Sequence, residues 1–485
     1  MSQSKSLSQT KSLPYLSGQP ILGHMSSMTG DVLGFLRRLA RDYQEAVHIK
    51  LAHIDVCFLF EPELVREAFV RRANEFEKSD IQVHMLRKAF GRGLVASTGD
   101  FHRQQRKLMQ PVFHHQRIHS YGRLMAEYTD HFIQNWQDGQ QVDMQSEMMQ
   151  LTMYIVGKAL LGADMDNLSC EAPVVAEAIA SNQYWLEKEF WLGFKLPFWL
   201  PLRSQRAIKQ NNQQLRDVLR PIIAAHHAQN GENGKDLLSL LMSAVDEDGR
   251  PMDDDLLMDE VVNLFSAGHE TTSNALTWTF YLLAQHPKVM AKLQAEVDGV
   301  FGDGRLPTTD DLTDLAYTEM VIKEAMRLYP PAWSLQFRQA LRATTIGGYD
   351  IKKGTMLVAA PYALHRNPIY FPDPERFQPE RFAPEQSANL PRYAYLPFGA
   401  GPHVCIGAQF AMMEAKMILA MIARRFDVTL APNQVVEPEP LITMGPKDGL
   451  QVVLRERERP FRSQSMAQLE TTTAASGCPF HSASA

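Results

Sequence analysis

One cysteine, Cys405, sits in the run Phe398-Gly399-Ala400-Gly401-Pro402-His403-Val404-Cys405-Ile406-Gly407, directly before a long apolar helical pattern from Ala408 to Phe426. That placement dictates a tight loop ending on a helix N-terminus. Unpaired backbone N–H groups and the positive end of the helix dipole meet the sulfur there and favour its thiolate. Gly399, Gly401 and Gly407 remove bulk, so the chain can turn sharply and a large flat ligand can lie against the sulfur. A thiolate presented this way suits a metal. Standing alone, such a cysteine more often closes a tight turn inside a core, so the rest of the chain has to decide.

Two further patterns bear on that choice. The longest helical pattern runs from about Asp253 to Gln285 and stops before Pro287, with Ala267-Gly268-His269-Glu270-Thr271-Thr272 at its centre. Glycine and two threonines are poor helix formers, so propensity gives no reason for them in mid-helix. A threonine hydroxyl can bond the carbonyl one turn back and loosen the ladder, opening a groove. An acid beside it could then relay protons to a buried oxygen species; the plainer alternative is a kinked buried helix with one solvated Glu. Further on, Glu324-Ala325-Met326-Arg327 sets opposite charges at i, i+3, and Pro379-Glu380-Arg381-Phe382 follows. An isolated pair of that kind is usually a surface ion pair of little worth.

Taken together and in this order, the motifs resemble the cytochrome P450 superfamily over nearly the whole chain. The cysteine run is similar to its FxxGxxxCxG haem loop, departing at His403, where Arg is usual. The central helix resembles the AGx(D/E)T oxygen-activation motif, and the charged segments resemble the ExxR and PERF motifs. The resemblance implies a mainly α fold with a small β lobe and a long central helix over a haem b. It implies Cys405 as the iron ligand, with Phe398, Ile406 and Gly407 around it. An iron porphyrin on such a thiolate gains electron density toward O–O cleavage. Glu270 and Thr271 take the acid–alcohol positions, while Ala267 and Gly268 leave room for dioxygen. Glu324, Arg327 and Arg381 form a structural network, not a catalytic one. Burying two haem propionates demands donors. The resemblance nominates His102 and Arg106, from a WxxxR-like segment with His102 in the Trp position, together with Arg338 and His403.

The chain has 485 residues, 45% hydrophobic and 21% charged, which describes an ordinary globular protein. Its formal net charge of −6 argues against non-specific nucleic-acid binding. Cys57, Cys170, Cys405 and Cys478 are too scattered for a disulfide framework and point to a reducing compartment, hence a cytoplasmic enzyme. Residues 1–30 show neither a signal peptide nor a membrane anchor. The expected organisation is a disordered N-terminus at 1–12, one haem domain at 13–458 and a flexible tail at 459–485. Within the domain we expect a helix over Asp31–Glu45, a hairpin over His48–Phe60, helical spacing over Glu61–Phe76, strands in Thr344–Ala360 and a last hairpin over Leu441–Arg455.

The expected activity is insertion of one oxygen atom from O₂ into a lipophilic small molecule such as a fatty acid or terpenoid. Electrons would come from a separate ferredoxin or flavodoxin, docking where Arg103, Lys107, Arg424 and Arg425 could form a basic patch. By position, Leu264, Phe265, the loop around Val83–Phe90, Ala332–Leu335 and Ile442–Met444 face the substrate. Trp185, Phe190, Trp191, Phe194, Phe198 and Trp199 suggest a greasy entrance or ordinary core. A peroxide-using or isomerising haem–thiolate enzyme is the nearest rival, and the Glu270–Thr271 pair argues against it. A haem-based sensor would need an output domain, which the sequence does not display. Cys478-Pro479 in the tail resembles a haem-regulatory motif, against the plainer reading of a featureless tail.

Overall fold

The computed structural model describes residues 11–162, 172–191, 195–197, 199–228, 237–245, 249–301, 304–334 and 336–458. The expected N-terminal hairpin forms: Ala46–Leu51 (β1) pairs antiparallel with Ile54–Leu59 (β2), His48 opposite Cys57. Strands from far along the chain complete the sheet. Phe76–Glu77 (β3), Gln336–Ala340 (β4) and Met356–Ala359 (β5) give the order β1-β2-β5-β4-β3, with only β2 and β5 parallel. Alternate residues serve two cores. Val47, Ile49, Val56, Phe58 and Val358 pack with the helix Val32–Asp42 (α1), whereas Cys57, Leu59, Leu357 and Ala359 pack on the opposite face. Asp31 caps α1 by accepting from the Gly34 amide at 2.8 Å.

The body is helical. Asp80–Phe90 forms α2, capped by Ser79, so the expected loop at Val83–Phe90 is instead a helix. Gly99–Met109 (α3), Met144–Leu161 (α4), Ala172–Phe190 (α5) and Arg203–Ala228 (α6) follow. The central helix, Asp254–Gln285 (α7), has most of its residues buried. Asp253 caps it, accepting from the Leu256 amide at 2.7 Å. Ala316–Leu328 (α8) and Ala408–Arg425 (α9) complete the frame. A buried ion pair of 2.6 Å between Lys88 and Glu189 ties α2 to α5, and Ser204 of α6 donates to the same carboxylate at 2.7 Å.

Two expectations are corrected here. Helical spacing over Glu61–Phe76 breaks into an α turn at Pro62–Arg66, a π turn at Glu67–Arg71 and a 3₁₀ turn at Ala73–Glu75. The hairpin over Leu441–Arg455 does not close on itself. Met444–Pro446 pairs back with Pro438–Pro440, and Gln451–Glu456 pairs with Phe426–Leu430 and Gln141–Asp143. Alternation marks a strand but not its partner; here Asp143 captures the turn, accepting from the Leu450 amide at 2.8 Å.

The charged motifs anchor the cysteine loop. Glu324 and Arg327 are fully buried, joined by bonds of 2.7 and 2.9 Å. Arg327 also donates to the carbonyls of His365 (2.9 Å), Pro374 (2.7 Å) and Arg376 (3.2 Å), and Arg381 reaches Glu324 at 3.3 Å. His365 then accepts from the Leu396 amide through Nε2 at 2.7 Å. An accepting nitrogen requires a neutral ring, and burial pushes the His365 pKa down to about 3. The chain Arg327–His365–Leu396 thus ends two residues before Phe398.

Among the described residues no helix is long and apolar enough to cross a membrane. Lys11 donates its amide to the Gly348 carbonyl at 2.8 Å. Residues 1–10 and the tail with Cys478-Pro479 lie outside the described residues.

Candidate functional site

The cysteine loop is built by backbone bonds: the Cys405 amide to the Phe398 carbonyl at 2.9 Å and the Val404 amide to the Gly401 carbonyl at 3.1 Å. Gly399 (φ 77) and Gly401 (φ 70) take left-handed conformations. At Gly401 a Cβ would stand 1.8 Å from the Phe69 carbonyl, which the π turn presents to the loop. Gly407 is different, since a Cβ there would touch only Phe113 at 3.8 Å. The protein's own packing thus leaves the space at Gly407 open. Gly407 also gives its N–H to the sulfur.

Cys405 is exposed to a cavity of about 370 Å³. Burial raises its pKa, and the Gly407 N–H and the Arg106 guanidinium pull it back only in part. Desolvation thus opposes the thiolate favoured by the loop's N–H groups, and a positive charge beside the sulfur would offset it. Among the described residues no cluster of three His, Cys, Asp or Glu side chains could hold a metal ion. A metal at Cys405 would have to bring its other ligands with it.

Across the cavity stands α7, lining it with Leu264, Ala267, Glu270 and Thr271. The Thr271 hydroxyl donates to the Ala267 carbonyl at 2.9 Å, and Thr272 donates to Gly268 at 3.2 Å. The helix stays continuous through both bonds. Gly268 does not face the cavity. A Cβ there would meet Val156 of α4 at 3.1 Å, so this glycine serves helix packing and leaves no room for dioxygen. Glu270 is buried and accepts from both Gln183 of α5 and Thr443. Burial raises its pKa against those two donors, so the carboxyl is not the solvated one of the plainer sequence reading.

A cationic rim closes one side. The His102 and His403 rings lie 4.0 Å apart, and Arg106 donates to the Val404 carbonyl at 2.7 Å. Arg338, on β4 and buried, joins them, and the register β3–β4 (Glu77 opposite Gln339) brings in Lys78. Burial pushes the pKa of His102 down to about 3, of His403 to about 4, of Lys78 to about 7 and of Arg338 to about 10. One carboxylate answers them. Burial opposes ionisation of Glu77, but the His403 bond (3.1 Å) and the Gly99 and Lys78 amides overcome it, to about 2. His403 Nδ1 is buried without a hydrogen-bond partner. Crowded, desolvated donors facing one acid are suited to further anions.

Of the residues nominated for iron, haem and proton delivery, His102, Arg106, Ala267, Glu270, Thr271, Arg338, Phe398, His403, Cys405 and Ile406 line this one cavity, whereas Gly268 and Gly407 do not. Leu86, Phe90, Ala332 and Ile442 line it as expected, whereas Phe265 and Met444 do not, and Leu335 lies outside the described residues. A smaller cavity of about 90 Å³ shares Gln82, Leu86, Leu186 and Ile442 with it and is walled by Phe190, Trp191, Trp333 and Phe337. Trp199 is 81% exposed, and Phe194 and Phe198 lie outside the described residues. Of the expected basic patch, Arg424 donates to the Arg305 carbonyl, and Arg425 donates to that of Ile133 and pairs with Glu456. Those two close the end of α9. Lys78, Glu77, His365 and Gln183 were missed from sequence, since none belongs to a spaced motif; Thr443 lines the cavity as expected, but its bond to Glu270 was not foreseen.

Comparison with known proteins agrees with this geometry. The family model described as Cytochrome P450 matches residues 13–452. The chain is 34% identical to cyclooctat-9-en-7-ol 5-monooxygenase of Streptomyces melanosporofaciens, over 85% of this chain and 89% of that protein. It is 30% identical to pentalenene oxygenase of Streptomyces avermitilis, over 88% and 93%. To the mouse (Mus musculus) protein named Cytochrome P450 4V2 it is 32% identical, over 94% and 92%. A cysteine loop facing a continuous central helix across one cavity, together with a family match over residues 13–452, means that the chain belongs to the cytochrome P450 family and is a haem monooxygenase.

Proposed function

We propose that this monooxygenase oxygenates a terpenoid or similar lipophilic small molecule, using haem b held by Cys405. The observation that carries the reading is the convergence in one largely apolar cavity of a single cysteine, the Glu270–Thr271 pair and the cationic rim. The bacterial relatives named for cyclooctat-9-en-7-ol and pentalenene support the substrate class. The residues fit the cofactor. Among the described residues Cys405 is the one thiol that lines the cavity, and iron would supply positive charge beside it. His102, Arg106, Arg338, His403 and Lys78 would hold the two propionates, with the unpartnered His403 Nδ1 among the groups to be satisfied. When bound, the haem supplies dioxygen binding and its reductive activation.

The chain's own residues then manage protons and water. Thr271 Oγ1 can turn from the Ala267 carbonyl and donate into the cavity, and Glu270, its pKa raised by burial, can restore that proton. Leu264, Phe90 and Ala332 exclude bulk water from the same space. Electrons would arrive from a separate ferredoxin or flavodoxin. Arg103 and Lys107, exposed on α3, which also carries Arg106, support a docking face there. The cytoplasm is the expected compartment, in keeping with free Cys57 and Cys405.

Thr271→Ala tests the proton role. The variant should keep the parent carbon monoxide spectrum and go on consuming reduced cofactor, yet release hydrogen peroxide in place of most product. We expect coupling to fall about tenfold or more, within the roughly 10²–10⁴ that general acid–base catalysis supplies. Thr272→Ala should stay coupled; if it uncouples and Thr271→Ala does not, the relay is one residue out of register. The substrate class is checked by titrating the ferric protein with pentalenene, cyclooctat-9-en-7-ol and lauric acid and following the Soret shift.

The rim makes a separate prediction. Arg338→Ala removes a buried charge-assisted donor, a loss of roughly 1.5–3 kcal/mol. It should lower the haem-to-protein ratio after gel filtration well below that of Arg103→Ala, an exposed control. Equal haem content in the two variants would remove Arg338 from the propionate site.

A further inference from the structure

The Glu270 carboxyl is held asymmetrically. Gln183 Nε2 and Thr443 Oγ1 both donate to Oε1, and among the described residues Oε2 receives no donor. The two clamps are themselves fixed. Gln183 Oε1 accepts from the Thr443 amide at 3.3 Å, so flipping its side-chain amide would break bonds at both of its atoms. The Thr443 hydroxyl, donating to Glu270, accepts from Asn274 Nδ2 at 3.2 Å, and Gln145 reaches Asn274 at 3.4 Å. Gly445 makes room for that last contact: a Cβ there would lie 2.7 Å from Gln145 Nε2 and 2.8 Å from Asn274 Oδ1. Every member of this network has a partner, which is the condition under which a buried polar network specifies one geometry. It draws on four separate elements, α4, α5, α7 and the segment before Met444–Pro446.

We propose that Gln183 and Thr443 are positioning residues for Glu270: by occupying Oε1 they place the acidic proton on Oε2, and through Gln183 they tie that placement to the substrate wall. Gln183 stands on α5, whose Ile179, Asn182 and Leu186 line the cavity where a substrate would sit. A compound seated against α5 presses on the same helix that holds the acid, so the proton is best presented when the cavity is filled. The proposal rests on the reading of Glu270 as the proton source, and its test separates the two.

The infrared carbonyl stretch of the protonated carboxyl, assigned by its disappearance in Glu270→Gln, should move to higher frequency in Gln183→Leu and in Thr443→Val. It should stay in place in Thr443→Ser, which keeps the hydroxyl. With the panel compound that shifts the ferric spectrum most, product per reduced cofactor should fall at least about fivefold in both variants, part of what acid–base catalysis supplies, and recover in Thr443→Ser. Gln183→Leu placed on Glu270→Gln should add nothing to the loss from Glu270→Gln alone, because both act through one group. An unmoved carbonyl band, or losses that multiply in the double variant, would overturn the positioning role. Coupling left intact in Glu270→Gln would instead overturn the proton-source reading, while the band still decides whether the carboxyl is positioned. Should Gln183→Leu fail to fold, Thr443→Val and Thr443→Ser carry the same test.

Discussion

Cys405→Ser is expected to abolish the thiolate-type spectrum of the reduced carbon monoxide complex and, with it, oxygenation. Among the described residues the sulfur is the one thiol lining the cavity, while the loop around it is held by backbone bonds that the substitution leaves in place. The variant should therefore fold and could even retain haem through the rim, yet lack the electron-rich ligand that distinguishes this chemistry from imidazole-ligated haem. Cys57→Ser is the control. Cys57 lies in β2 among Leu59, Leu357 and Ala359, with burial pushing its pKa up to about 12, so it serves the core. A thiolate spectrum that survives Cys405→Ser, or one lost in Cys57→Ser, would overturn the ligand assignment.

Arg327→Ala should be the most destabilising single change at the cysteine-loop side of the fold. The guanidinium is fully buried; its loss strands the Glu324 carboxylate and takes donors from the carbonyls of His365, Pro374 and Arg376. Removing one partner of a buried pair costs about 3–5 kcal/mol, a large part of the roughly 5–15 kcal/mol that holds a typical protein folded. Arg327→Lys should not restore it, because an ammonium cannot reproduce two parallel bonds to one carboxylate together with three to carbonyls. Arg381→Ala should be far milder, since Arg381 reaches Glu324 through a single 3.3 Å contact from a partly exposed position. Soluble yield and urea unfolding check this. A parent-like midpoint in Arg327→Ala would mean that the loop is anchored by other means.

Much of the fold could be read from spacing. The hairpin at β1–β2 and the helices α1 and α7 follow from period-two and period-3.6 patterns closed by Asp caps and a Pro stop, all signals within a few residues of each other. The cysteine loop is legible for a related reason, since Gly399 and Gly401 occupy backbone conformations that disfavour other residues. Where spacing misled, a distant partner had intervened. Met444–Pro446 and Gln451–Glu456 look like one hairpin, but each finds a better strand elsewhere.

By itself the sequence determined which atoms could do the chemistry: one cysteine at a turn, an acid beside an alcohol on a long helix, and a charged triplet to brace them. Only the tertiary structure decided how those atoms are held. Glu77 and Lys78 meet Arg338 because β3 pairs with β4 across more than 250 residues of chain; Gln183 and Thr443 reach Glu270 from either side of it. Such pairings leave no periodic trace, because they depend on packing between elements and not on spacing within one. The same holds for charge. Burial raises the pKa of Cys405 and of Glu270, and burial is a property of the assembled fold.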